Sequence, residues 1–219
     1  MRLFRPSLLL RLAYPEAIFR IRTSEKELCL TFDDGPNPDS TPEIIDILER
    51  HDVKAVFFCN GQEAEKYPEL INMTISKGHL LGNHGYIHLN GWKTNVSEYV
   101  ENAARADLFT SPGLFRPPYG RIRPRQYRAL AQKYRIVFWD LMPYDFDVKM
   151  NSKRVLNIIK KKLRPGSVIL LHDKTSALCL SFLEEFIKYA EDKGYRFVIS
   201  HLSGSVRDMV PKDVGYLNI

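Results

Sequence analysis

Short apolar segments alternate with amphipathic segments along most of the chain, and this alternation strongly limits the fold. The apolar segments are rich in β-branched and aromatic residues, as expected of buried strands; they are 27–32, 54–59, 134–140, 166–173 and 195–200. Helical periodicity lies between them, most clearly in 41–51, 96–109, 124–133, 152–163 and 180–194. Strands that alternate with helices pair in parallel. About six or seven such units predict an α/β domain, either a barrel related to the (β/α)₈ type or an open doubly wound sheet.

The composition is that of a globular protein and excludes some classes of partner. The chain has 219 residues, of which 44% are hydrophobic and 26% are charged, both ordinary values. The net charge of +6 suits anionic partners, but no Lys/Arg stripe interleaved with aromatic residues is present, and we expect no nucleic-acid partner. Cys29, Cys59 and Cys179 lie far apart in apolar runs, which predicts buried core residues and not a disulfide framework.

The two ends of the chain lie outside the alternating region. We expect an N-terminal segment at 1–25, one domain at 26–202 and a polar tail at 203–219. The N-terminal segment has a basic start and a short apolar run that Arg11 interrupts, without a small-residue cleavage site after it. No stretch is long and apolar enough to span a bilayer. We therefore expect an uncleaved cytoplasmic protein, with non-classical export or peripheral membrane contact as alternatives.

Two adjacent acids, Asp33 and Asp34, follow the first apolar strand where it enters a Gly-Pro turn. Adjacent carboxylates repel each other unless a positive charge holds one of them. The simpler interpretation is a turn cap, in which an aspartate accepts hydrogen bonds from backbone N–H groups.

His84 and His88 have the i, i+4 spacing that places two imidazoles on one face of a helical turn, where they can share a metal ion. The three residues between them cannot take a proton from water at neutral pH, and so a base must come from elsewhere. One of the two adjacent aspartates can complete a His–His–Asp ligand set, and the other can accept the proton. Zn²⁺ suits such nitrogen and oxygen ligands, with Co²⁺ or Ni²⁺ as alternatives.

Two further residues are candidates for catalysis. His172 ends the apolar strand "VILLHD", from which it can protonate a leaving group; the alternative is a hydrogen-bonded core histidine. Arg116, in "FRPPYG", can pair with the base aspartate and orient it; the alternative is a surface arginine in a rigid turn.

Five segments, taken in order, resemble the five motifs of the polysaccharide deacetylases (carbohydrate esterase family 4, the NodB-homology domain). They are "TFDDGP", "GNHGYIH", "FRPPYG", "FWDLMPYDFD" and "VILLHD", and the resemblance covers roughly residues 26–200. It implies a distorted (β/α) barrel with outer helices. It also implies a divalent metal and the removal of N-acetyl or O-acetyl groups from a glycan such as peptidoglycan or chitin.

The resemblance also implies a role for each matching residue. The metal ligands would be Asp34, His84 and His88. Asp33 would be the general base, Arg116 would hold it and His172 would be the general acid. The backbone near Tyr119 would help to bind the oxyanion, and Leu171 would line the acetyl pocket.

The chain departs from the family pattern at three positions. Gly85 replaces the usual Ser or Thr after the first metal histidine. The fourth motif normally reads D-x-x-D-W; aligned on Asp145, its first acid is Met142 here and its Trp is Phe146. We therefore expect the acid that supports His172 to be missing, unless Asp140 or Asp173 takes its place.

Three hypotheses of function follow. The first is a metal-dependent hydrolase that removes acetyl groups from an acetylated glycan. The second is a degenerate carbohydrate-binding module without turnover, which would need none of the catalytic residues. The third is an amidase that acts on a small non-sugar amide.

Overall fold

A single parallel sheet organises the part of the chain described by the computed structural model, residues 3–110 and 113–203. Its strand order is β5-β4-β3-β2-β1-β6, and β7 pairs with the beginning of β1. The strands are β1 (Glu27–Asp33), β2 (Val56–Cys59), β3 (Leu80–Asn83), β4 (Leu114–Phe115), β5 (Arg135–Ile136), β6 (Val168–His172) and β7 (Arg196–Phe197).

Helices connect the strands and cover the outside of the sheet. They are α1 (Leu8–Ala13), α2 (Thr41–Arg50), α3 (Gly61–Lys66), α4 (Pro68–Ser76), α5 (Val96–Ala106), α6 (Pro124–Ala131), α7 (Ser152–Lys162) and α8 (Leu183–Asp192). In α2 to α8 the apolar faces pack on the outer face of the sheet, and in α2 the buried side chains include Ile44, Ile45 and Leu48. Helix α1 has no fully buried side chain. None of the described helices combines the length and the apolar character needed to cross a bilayer.

The sheet curls towards a barrel, and the N-terminal segment helps to close it. Ile18 forms a parallel bridge with Val137, and Arg20 forms an antiparallel bridge with Ser167. Tyr14 and Phe19 are buried, and both rings stack on the ring of Phe138. The predicted distorted barrel is therefore confirmed. The predicted domain limits stay a prediction, and the tail lies outside the described residues apart from Ser203.

Two elements differ from the predicted bounds. The predicted strand at 134–140 is regular only at Arg135–Ile136, because the chain then changes partner. The Val137 N–H donates to the carbonyl of Phe115 on β4, whereas the Asp140 N–H donates to that of Val168 on β6. The predicted strand at 195–200 is likewise regular only at Arg196–Phe197.

Candidate active site

Polar residues converge at the carboxyl ends of four strands of the sheet, β1, β3, β4 and β6. Asp33 ends β1 and His172 ends β6, and the two residues are partners in the register of these strands. His84 follows the last residue of β3, and Arg116 follows the last residue of β4. Parallel strands present their carboxyl ends at one edge of the sheet, which explains how distant segments meet here.

Arg116 is fully buried and binds Asp33. Its Nη1 lies 2.6 Å from Asp33 Oδ1 and 2.7 Å from Thr31 Oγ1. Its Nη2 donates to the carbonyl of Phe138, and its guanidinium lies 4.0 Å from the centroid of the Phe58 ring. These contacts leave Arg116 little freedom, and Asp33 is held in one orientation next to a fixed positive charge.

Asp34, His84 and His88 form a cluster that can hold a metal ion. Their candidate ligand atoms all lie within 4.8 Å of one another. Asp34 Oδ1 is 3.7 Å from His84 Nε2 and 3.3 Å from His88 Nε2. His84 Nδ1 lies 2.8 Å from the carbonyl oxygen of Arg116 and donates to it, and Nε2 is the ring nitrogen that faces Asp34. This outer hydrogen bond is the kind that orients a metal-binding imidazole.

The ionisation states of Asp34 and His88 suit the binding of a cation. Burial, together with the charge of His84, lowers the pKa of His88 to about 4, and the imidazole is neutral at neutral pH. Burial alone would raise the pKa of Asp34, but His84, His172 and Lys174 lower it well below its usual range. Metals bind neutral imidazole and ionised carboxylate. The residues therefore fit a divalent metal with nitrogen and oxygen ligands.

The backbone at Asp34 is held in an unfavourable conformation that brings its carboxylate to the histidines. Asp34 has a φ of 78°, in the left-handed region that non-glycine residues seldom adopt. Asn60 stabilises this turn, since its Nδ2 donates to the Asp34 carbonyl at 3.1 Å and its N–H donates to the Gly35 carbonyl. Such strain is typical of functional sites.

The acid that supports His172 is Asp145, and the expectation that this acid is missing was wrong. Asp145 is completely buried. It accepts a hydrogen bond from His172 Nδ1 at 2.9 Å and another from the His172 backbone N–H at 2.8 Å. Burial lowers the pKa of His172, but the charge and hydrogen bond of Asp145 outweigh it and raise the pKa above its usual value.

The two acids expected as substitutes, Asp140 and Asp173, form hydrogen bonds with residues other than His172. Asp140 is bound by Ser167 and by three arginines, which are Arg5, Arg11 and Arg164. Asp173 accepts hydrogen bonds from Ser40 Oγ and Thr41 Oγ1, both at 2.6 Å. Burial raises the pKa of Asp173 to about 6.

Of the two residues predicted to contact the substrate, Tyr119 borders the site and Leu171 does not. Leu171 is buried in the core cluster that also contains Phe32 and Phe186, on the face of β6 opposite His172. Leu170, which shares the face of His172, lines the cleft instead. The placement of Leu171 in the acetyl pocket was therefore wrong, because side chains alternate along a strand. Tyr119 does border the site, with its ring centroid 4.2 Å from that of His88.

The site lies in a cleft of about 760 Å³, and parts of its wall were not predicted. Lys174 Nζ lies 2.8 Å from Asp34 Oδ2, and the proximity of Lys174 to His172 in the sequence was the available signal. Phe146 meets the His172 ring edge-on, with centroids 4.5 Å apart. The N-terminal segment also lines the cleft, with residues that include Leu9, Leu10 and Ala13.

The fold and the site define a class: a curled parallel barrel whose strand ends carry a His–His–Asp cluster beside a buried Asp–Arg pair. Comparison with known proteins agrees with this class. A family model described as polysaccharide deacetylase matches residues 20–139. The chain belongs to the polysaccharide deacetylase family.

Individual relatives lie within the same family. A peptidoglycan-N-acetylglucosamine deacetylase of Bacillus cereus is 35% identical over 185 residues, which cover 80% of this chain and 67% of that one. The peptidoglycan-N-acetylmuramic acid deacetylase PdaC of Bacillus subtilis is 32% identical over 183 residues, or 80% of this chain and 38% of that longer protein. A crystal structure of a peptidoglycan N-acetylglucosamine deacetylase superposes with a TM-score of 0.82 at 31% identity, covering 91% of this chain and 99% of the other.

Proposed function

We propose that this protein removes acetyl groups from N-acetylated sugars of a glycan of the peptidoglycan type, with the help of a divalent metal. The observation that carries the proposal is the meeting of three units in one cleft: the Asp33–Arg116 pair, the His172–Asp145 pair and the Asp34–His84–His88 cluster. A binding module needs neither a buried base nor a positioned acid. The relatives described above act on peptidoglycan, which supports this substrate class.

The cluster Asp34, His84 and His88 would hold the metal, most simply Zn²⁺. A metal bound there supplies electrophilic polarisation of the acetyl carbonyl and favours ionisation of water. The chain supplies the remaining chemistry. Asp33, oriented by Arg116, accepts the proton of the attacking water.

The later steps of the reaction use the backbone at Tyr119 and the side chain of His172. The backbone N–H at Tyr119 donates a hydrogen bond to the oxygen on which negative charge develops. His172 donates the proton of its Nε2 to the departing amine, while Asp145 holds Nδ1 and the positive charge of the ring. The raised pKa of His172 keeps the ring protonated nearer neutral pH, as a general acid requires.

Aromatic residues on the rim of the cleft support a sugar ligand. The exposed rings of Trp92 and Tyr119 both lie against the guanidinium of Arg121, which is 4.9 Å and 5.8 Å from their respective centroids. Exposed rings of this kind provide flat apolar surfaces for the faces of pyranose rings. The small non-sugar amide of the third hypothesis would leave these surfaces unused.

Acetate release from N-acetylglucosamine oligosaccharides tests the proposal. We expect release by the metal-loaded protein, loss after treatment with a chelator and recovery after Zn²⁺ is added. An O-acetylated glycan and a small non-sugar acetamide, assayed in parallel, decide between the substrate classes. Release from the acetamide alone would favour the amidase, and no release from any substrate would favour the binding module. The cytoplasmic location stays a prediction.

A further inference from the structure

Helix α1 exposes three leucines on one face. Leu8, Leu9 and Leu12 are 70%, 78% and 67% exposed. At about 100° per residue these positions lie within an arc of about 100°. Leu3, just before the helix, is 55% exposed as well. We call Leu8, Leu9 and Leu12 the leucine face.

The orientation of α1 is the reverse of that expected for a helix in water. Leu10 packs on the aromatic core cluster, and Arg11 is turned inwards, where its Nη2 lies 3.1 Å from Asp140 Oδ1. Surface helices normally turn their charges outwards and their apolar stripe inwards. The contact of Arg11 with the buried Asp140 fixes the helix so that Leu8 and Leu12 point away from the protein and Leu9 lies at the mouth of the cleft.

Positive charge surrounds the base of this helix. One buried carboxylate, that of Asp140, faces Arg5, Arg11 and Arg164, which leaves an excess of positive charge. Further cations follow at the end of α7, where Lys161 and Lys162 lie in the last turn beside Lys160, which pairs with Glu185 Oε1 at 2.9 Å. The N-terminal segment touches that turn, since Lys162 Nζ lies 5.5 Å from the ring centroid of Phe4. We call this group of arginines and lysines the basic rim.

We propose that the leucine face docks on the surface of an anionic lipid bilayer. Leucines that enter the headgroup region, bordered by cations that bind acidic headgroups, are the pattern of an interfacial helix. A second copy of the chain is a poorer occupant, because a symmetric contact would bring two basic rims together.

Docking would place the mouth of the cleft at the membrane. Leu9, Leu10 and Ala13 of α1 line the same cleft as His84 and His172. If the proposed function holds, the enzyme acts on glycan attached to, or lying close to, the bilayer. This consequence rests on the proposed function, whereas the docking itself does not.

Sedimentation with vesicles tests the docking. The purified chain is mixed with vesicles of phosphatidylglycerol and phosphatidylcholine in equal parts, or of phosphatidylcholine alone. We expect binding to the anionic vesicles that weakens as salt is added. The double variant Leu8→Ser, Leu12→Ser should bind at least about tenfold more weakly. A matched double variant, Ile75→Ser, Leu108→Ser, removes two apolar side chains that are 54% and 77% exposed on other elements and should bind like wild type.

Several results would overturn the proposal. These results are no binding by wild type, equal binding of wild type to both kinds of vesicle, or binding of the Leu8→Ser, Leu12→Ser variant that equals that of wild type. A dimer in solution that this variant dissociates would make a second copy the occupant. Leu8 and Leu12 do not line the cleft, and we expect both double variants to keep wild-type turnover of a soluble oligosaccharide. Absent turnover in all proteins would contradict the proposed function and leave the docking result intact.

Discussion

Asp145 binds His172 at two points, through the imidazole Nδ1 at 2.9 Å and the backbone N–H at 2.8 Å. The backbone contact fixes the end of β6, and the side-chain contact fixes the ring. With Nδ1 committed to Asp145, Nε2 is the nitrogen left to serve the substrate. The same contact stabilises the protonated ring and raises the pKa of His172 against the effect of burial.

The first prediction concerns the pH dependence of the Asp145→Asn variant. An amide removes the negative charge, and the pKa of His172 falls. A general acid is lost as pH rises through its pKa, and so the falling limb of kcat/KM should move to lower pH. Asp140→Asn serves as the control, because Asp140 is bound by arginines and Ser167 and does not contact His172. If the falling limb of the pH profile moves in Asp140→Asn and stays in place in Asp145→Asn, Asp145 is not the acid that supports His172.

The second prediction concerns metal content. Elemental analysis should find one divalent metal in each chain of the wild type. His84→Ala, His88→Ala and Asp34→Asn should each lose most of it, because each removes one ligand of a three-residue set. His201→Ala changes a histidine outside the cluster and should keep the metal. Equal metal in wild type and His84→Ala would show that the ion binds elsewhere.

The third prediction is the stability of Arg116→Met. This substitution leaves Asp33 buried without its cation and removes hydrogen bonds to Thr31 and to the Phe138 carbonyl. Urea unfolding should show a loss of about 3–5 kcal/mol. Arg128→Met, at an exposed position on α6, should change the free energy of unfolding by no more than about 0.5 kcal/mol.

A double variant makes this third prediction more specific. If the pair is the cause of the loss, Asp33→Asn combined with Arg116→Met should cost less than the sum of the two single changes. Strict additivity would mean that Arg116 stabilises the core without acting through Asp33.

The fourth prediction concerns Trp92, which is 56% exposed at the rim of the cleft. Trp92→Ala should raise KM for long N-acetylated oligosaccharides by about threefold to tenfold, the range expected for one lost ring contact. kcat should be unchanged, because Trp92 takes no part in the proton transfers. Trp92→Phe keeps an aromatic face and should restore most of the affinity. A fall in kcat with unchanged KM would place Trp92 in the chemistry and not in binding.

Much of this site could be predicted because strand ends are visible in a sequence. Asp33, His84, Arg116 and His172 each end or follow an apolar run, and parallel pairing then brings them together. Side chains also alternate between the two faces of a strand. Counting back from His172 therefore places Leu170 on the cleft side and Leu171 on the opposite face. That inference was available from the sequence and was missed.

Other parts of the site had no such signal. Asp145 lies in an irregular segment, and no period fixes where such a segment places its side chains. Motif alignment put the supporting acid at the position of Met142, three residues earlier in the chain. The closure of the barrel by Ile18 and Arg20 depends on bridges to distant segments, which local sequence patterns do not encode.

The most direct test of the account compares wild type with Asp33→Asn on one N-acetylglucosamine oligosaccharide, both loaded with Zn²⁺. Acetate and newly formed free amine are counted together with bound metal. We predict one free amine for each acetate released by wild type. Asp33→Asn should keep its metal, because Asp33 is outside the ligand set, and should lose activity by about 100-fold or more. Equal acetate release by the two proteins, at equal metal content, would contradict the assignment of Asp33 as the base.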